Sequence, residues 1–111
     1  MADYNGWKNY ETWNVKLWID NEQGSSEYWA EQASEAWETG EYKRAYSSQT
    51  RKESASCILA ERLKDEFEEA QPEVTGMWAD LLNAAMSEVD WYEIAENMLE
   101  EFEEEPATTE A

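Results

Sequence analysis

Seven tryptophans on a 111-residue chain of formal net charge -19 constrain the fold more than any other feature. Four of them, Trp7, Trp13, Trp18 and Trp29, stand in or just before the stretch "NYETWNVKLWIDNEQGSSEYW" (Asn9–Trp29). Acidic chains that stay disordered are poor in aromatics because they bury nothing. Here Trp, Tyr and Phe make up 14% of the residues, and each ring can bury roughly 150–250 Å². They supply a core that Leu, Ile and Val alone do not. The tryptophans are therefore read as scaffold, either core or half-buried. A chain of this length buries about 60–70% of its unfolded surface. That corresponds to one domain, placed at residues 1–105, with 106–111 as a flexible acidic tail.

The punctuation along the chain is helical. Asn9 is an N-cap for a first helix at Tyr10–Asn21, with Trp13 and Leu17 on its inner face and Trp18 beside them. "NEQGSS" interrupts the pattern, with Gly24 as the stop. Ser26 then caps a second helix over Glu27–Thr39 that buries Trp29, Ala33 and Trp37, and Gly40 lies just past its end. "EYKRAYSSQ" reads as either a short helix or a loop. Thr50 and Glu53 form a capping box for a longer helix reaching Ala70, with Ala55, Leu59, Leu63 and Phe67 as its ridge and Ile58 between. Cys57, the sole cysteine, reads as a small buried hydrophobe of that helix. Pro72 prevents its continuation. A fourth helix over Gly76–Met86 presents Trp78, Leu81, Leu82 and Ala85. The last begins at the N-cap Asp90, with Glu93 completing a capping box and Val89 and Ile94 a hydrophobic staple. Trp91, Ile94, Ala95, Met98, Leu99 and Phe102 hold a 3.6-residue period through it. The expected fold class is all-α, a compact bundle of four to five short helices with a Trp-rich core.

Several chemistries lack their residues. There is no histidine, hence no imidazole base and no histidine metal site. One cysteine without histidine makes no nucleophile pair. No phosphate-cradling glycine motif occurs. The acidic stretch "DNEQGSSE" (Asp20–Glu27) departs from the EF-hand pattern, with Ser25 where glycine is required. Neither an enzyme nor a metal or other cofactor is expected. The start of the sequence carries no secretion signal and no apolar run reaches membrane-spanning length, so a cytoplasmic protein is expected.

The charge is lopsided. Residues 43–64 hold Lys43, Arg44, Arg51, Lys52, Arg62 and Lys64 against two acids, whereas residues 65–111 hold sixteen acids and no base. The basic segment is placed to neutralise part of the acidic wings from within, leaving the far surface negative. Three acidic groups stand out: Glu27, Glu31, Glu35 and Glu38; then Asp65, Glu66, Glu68 and Glu69; then Glu93, Glu96, Glu100, Glu101, Glu103 and Glu104. Like charges at i,i+4 cost a helix about 0.2–0.5 kcal/mol per pair, and the second group sits at the helix end that the dipole disfavours. Such a field repels nucleic acids and membranes and attracts basic proteins. Duplex DNA carries one charge per roughly 1.7 Å of axis, while an i,i+4 stripe carries one per ~6 Å. Two or three acidic faces side by side, or a dimer, are needed to imitate it.

The segments "NYETWNVKLWIDNEQG" (Asn9–Gly24) and "VDWYEIAENMLEE" (Val89–Glu101) resemble a family of small, largely uncharacterised proteins of phages and plasmids. In charge and size the chain is similar to DNA mimics, meaning antirestriction proteins and some anti-CRISPR inhibitors, an analogy of physics rather than of motif. The expectation is an acidic nucleic-acid mimic that blocks the DNA- or RNA-binding site of a host defence nuclease. Its fourteen carboxylates named above would serve as phosphate surrogates. The partner would be a basic nucleic-acid-binding protein of the bacterial cytoplasm, a Cas effector or a restriction enzyme, met by a monomer or homodimer without direct contact to nucleic acid or membrane. The alternative is a helical interaction module that grips a basic partner through exposed aromatic anchors such as Trp7, Tyr28 or Tyr42.

Overall fold

Asn9 opens the first helix as its spacing requires: its side chain accepts the Thr12 N–H at 2.9 Å, and α1 runs Tyr10–Asn21. In the computed structural model, which describes residues 6–44 and 49–102, four more helices follow: α2 (Gln23–Arg44), α3 (Arg51–Ala70), α4 (Met77–Ser87) and α5 (Trp91–Met98). The protein is all-α, and the described residues contain no strand. None of their helices is long and apolar enough to cross a membrane. Glu103, Glu104 and the expected tail at 106–111 lie outside the described residues.

The second helix corrects the expected boundaries at both ends. A single extended residue, Glu22, separates α1 from α2, and its carbonyl accepts the Ser26 N–H at 2.8 Å. Gly24 and Ser26 therefore lie inside the first turn of α2 and act as neither stop nor cap. Because Asp20–Glu27 is almost wholly helical, it supplies no loop of the EF-hand kind. Gly40 does not end the helix either. It is buried in the interior of α2, where a Cβ would stand 2.9 Å from the Arg51 carbonyl oxygen and 3.1 Å from the Ala55 nitrogen. Glycine is used there for close approach of two helices, not for a turn.

The core lies where α2, α3 and α5 meet, closed on one side by α1. Trp29 of α2 stacks on Phe67 of α3 at 5.8 Å, and Phe67 stacks in turn on Trp91 of α5 at 5.7 Å. Trp37 packs against Phe102 at 5.5 Å. Around these rings Leu59, Leu63, Ile94 and Leu99 are fully buried. Stacked rings and buried aliphatic side chains thus join the three helices together. The capping box of Thr50 with Glu53 forms as expected. Val89 and Ile94 are both buried at the start of α5.

Other expectations fail for geometric reasons. The inner edge of α1 is Thr12 and Ile19, with Val15 packed on the core; Trp13 and Leu17 are half-buried and Trp18 is 68% exposed. Cys57 is exposed, because it sits about 200° around α3 from Leu59, and Ser54 and Ser56 are buried instead. On α4, Trp78 and Leu81 face solvent at 64% and 54% exposure. Asp90 accepts the Glu93 N–H at 3.0 Å, yet the Glu93 carboxylate does not return the bond of a capping box: it accepts the Lys8 N–H at 3.1 Å.

That last bond belongs to a clamp between the two ends of the fold. The Asn9 side-chain amide donates to the Glu88 carbonyl at 2.7 Å, and the Asp90 N–H donates to the Thr12 hydroxyl at 2.8 Å. Lys8 pairs with Asp90 at 3.6 Å. "NYET" and "VDWYE", the most distinctive words of the sequence, are therefore hydrogen-bonded to each other. Their job is architectural.

Candidate functional site

The bases decide where negative charge is left over. Arg51 and Arg62 leave α3 for α2. The Arg51 Nε donates to the Trp37 carbonyl at 2.9 Å, its guanidinium lies 4.4 Å from the Trp37 ring centroid, and it pairs with Glu38 at 3.7 Å and Glu41 at 3.5 Å. Arg62 donates to the Gln32 side-chain carbonyl and pairs with Glu35 at 3.2 Å. Lys64 pairs with Glu68 at 2.9 Å and Lys16 with Asp20 at 2.6 Å. Of the basic middle of the chain, Arg51 and Arg62 are spent on the α2–α3 seam.

The acidic groups of the sequence then separate by role. Glu35 and Glu38 help hold the seam, Glu27 accepts from Gln23 at 3.0 Å, and Glu31 is exposed with no ion pair among the described residues. The α3 group does not form one face. Glu66 accepts the Tyr28 hydroxyl at 2.9 and 2.8 Å across the seam, whereas Glu68 turns with Lys64 toward a groove beside Asn83 and Trp91. Asp65 and Glu69 are exposed and have no ion-pair partner among the described residues. The hydrogen bond to the Glu66 carboxylate, with some burial, pushes the Tyr28 phenol above its ordinary value of 10.0.

The acids that do converge lie around a groove of about 470 Å³ between α1, α2 and the chain just after α5. Buried Ile19 and Trp29 with half-buried Phe102 form its floor, and exposed Asp20, Glu100 and Glu101 its rim. Glu27 and Glu31 are the i,i+3 neighbours of the groove-lining Ala30 and Ser34, so the α2 stripe continues the rim outward. Glu100 also lines a shallow cleft with Glu93, Glu96 and Trp7 on the far side of α5. Among the described residues, Glu31, Glu96, Glu100 and Glu101 have no ion-pair partner. Asp20 is not among the fourteen expected surrogates; its place on the rim follows from the packing of α1 on α2, and there it is paired with Lys16 at 2.6 Å.

Of the expected aromatic anchors, Trp7 is half-buried against the core and the Tyr28 hydroxyl is held by Glu66, while Tyr42 is 76% exposed. Among the described residues, no three acidic or thiol side chains gather as a cation site.

No curated protein and no solved structure matches this chain. A family does: residues 1–106 match DUF7249, a family of unknown function, and the chain belongs to that family.

Proposed function

We propose that this protein is an acidic decoy for nucleic acid, a phage- or plasmid-type inhibitor that occupies the DNA- or RNA-binding site of a defence nuclease, a Cas effector or a restriction enzyme. One observation carries the reading. Arg51, Arg62, Lys64 and Lys16 are drawn into internal ion pairs, while the carboxylates of α2 beside the groove and of the turn after α5 have no cationic partner among the described residues. Glu27, Glu31, Glu100 and Glu101 then meet the partner's lysines and arginines as phosphates do. Helices braced by stacked aromatic rings fix the backbone that carries those carboxylates, so binding orders their side chains without also having to order the chain beneath them. Glu35, Glu38 and Glu66 serve the fold more than the partner.

The test is charge reversal, scored by inhibition of DNA cleavage across a panel of purified Cas effectors and restriction endonucleases. Reversing Glu27, Glu31 and Glu100 together to Lys is expected to abolish inhibition with the helical circular dichroism spectrum unchanged. Full inhibition by that variant would refute the decoy.

A second reading, a helical interaction module with aromatic anchors, is favoured by the exposure of Trp18 and Tyr42. Salt separates the two. Going from about 0.05 to about 0.5 M NaCl, contacts between exposed charges are screened and decoy binding collapses, whereas anchor binding weakens only modestly.

A further inference from the structure

Helix α4 is the most apolar helix of the chain and the least covered. None of its residues is buried. Leu82, Ala85 and Met86 are half-buried, and Met86 packs on the core. Met77, Trp78 and Leu81 are 61%, 64% and 54% exposed, and Val74, just ahead of the helix, adds to the same surface. Met77 and Leu81 are one turn apart with Trp78 beside them, so the three form one stripe. Together with Val74 they present on the order of 400 Å² of apolar surface, a size that marks interaction sites on soluble proteins.

Charge decides what covers it. Residues 65–111 hold sixteen acids and no base, and exposed Glu73, Asp80 and Glu88 flank the stripe. A second copy would bring the same acids together, and a stable interface buries about 800 Å² per partner, roughly twice what the stripe offers. Anionic membrane surfaces are repelled by the same field. An apolar stripe edged with Lys or Arg is complementary on both counts.

We propose that Val74, Met77, Trp78 and Leu81 form a docking surface for a basic amphipathic helix of another protein. Trp78 is the anchor, since tryptophans dominate the energetics of protein interfaces. Glu73, Asp80 and Glu88 receive the cationic edge of the incoming helix. This surface lies on a different helix from the acidic groove, uses no phosphate surrogate, and stands whether or not the decoy reading holds.

The test titrates the full chain, isotope-labelled for NMR, with a synthetic amphipathic helical peptide of Leu and Lys. A peptide with Glu in place of Lys and a lysine homopolymer serve as controls. The Leu/Lys peptide is expected to shift the amide signals of residues 74–82, and neither control is. The variant W78A/L81A is expected to bind the peptide at least about tenfold more weakly. Because both side chains are exposed, the fold is retained, and the wild-type shifts are read independently of any variant. Unmoved signals at 74–82, or unchanged affinity in the variant, overturn the proposal. So do sedimentation of the wild type as a dimer that W78A/L81A dissolves, and α4 shifts produced by lipid vesicles instead of the peptide.

Discussion

Two glycines that look alike in the sequence should respond in opposite directions to the same substitution. Gly24 and Gly40 both lie inside α2. At Gly24 an added Cβ meets nothing within 4 Å, so Gly24→Ala gains helix propensity alone, about 0.5–1 kcal/mol. At Gly40 the same methyl would press on backbone: the Arg51 carbonyl oxygen at 2.9 Å, with the Ala55 nitrogen and Cβ at 3.1 Å. Those atoms belong to the first turn of α3 and do not rotate away. Relief requires α2 and α3 to part by about half an ångström, and overpacking of this kind costs typically 1–3 kcal/mol. Subtracting the propensity gain of about 1 kcal/mol leaves Gly40→Ala destabilising by about 1 kcal/mol. The two variants should therefore lie roughly 2 kcal/mol apart, or about 8–16 °C in Tm for a domain of this size. Thermal melts by circular dichroism, with urea titrations beside them, measure this directly. If Gly40→Ala melts at or above the wild type, α2 does not pass α3 at the proposed separation and the packing described for the seam is wrong.

Thr12→Val keeps the shape of a fully buried side chain but removes the hydroxyl that accepts the Asp90 N–H. An amide left without its partner costs about 1–3 kcal/mol, which urea unfolding should show as a lower midpoint at unchanged slope. Tyr28 should ionise above its ordinary value of 10.0 because its phenol donates to Glu66. As the folded value is the raised one, the stability from this bond is fully present below pH 10 and is lost as pH rises through the raised value. Ultraviolet absorbance titration of the wild type minus Tyr28→Phe isolates the phenol, and Glu66→Gln should return it toward the ordinary range.

Much of the helical frame is written in local signals. Asn9, Thr50 and Asp90 each accept a backbone N–H of the following turn, and side-chain oxygens at such spacing announce helix starts without tertiary help. Glycine announces nothing on its own. At position 24 it is merely tolerated in a first turn, and at position 40 it is required by a helix 11 or more residues further along the chain. The exposed stripe of α4 was equally hidden: a 3.6-residue apolar period shows that a helix has an apolar face, and is silent on whether any other element reaches it. For the acids, the sequence separates basic from acidic segments, and the use of Arg51 and Arg62 within the seam follows that separation. Which carboxylates they neutralise depends on how α3 lies on α2. Glu35, Glu38 and Glu66 consequently leave the candidate set.

The most direct measurement is a competition equilibrium between this protein and labelled duplex DNA for any nuclease of the panel that the decoy reading identifies as its target. A decoy predicts mutually exclusive occupancy: DNA is released stoichiometrically as the protein binds, and raising the DNA concentration raises the apparent Kd in proportion. A ternary complex, in which the nuclease holds DNA and this protein together without mutual weakening, would contradict the account.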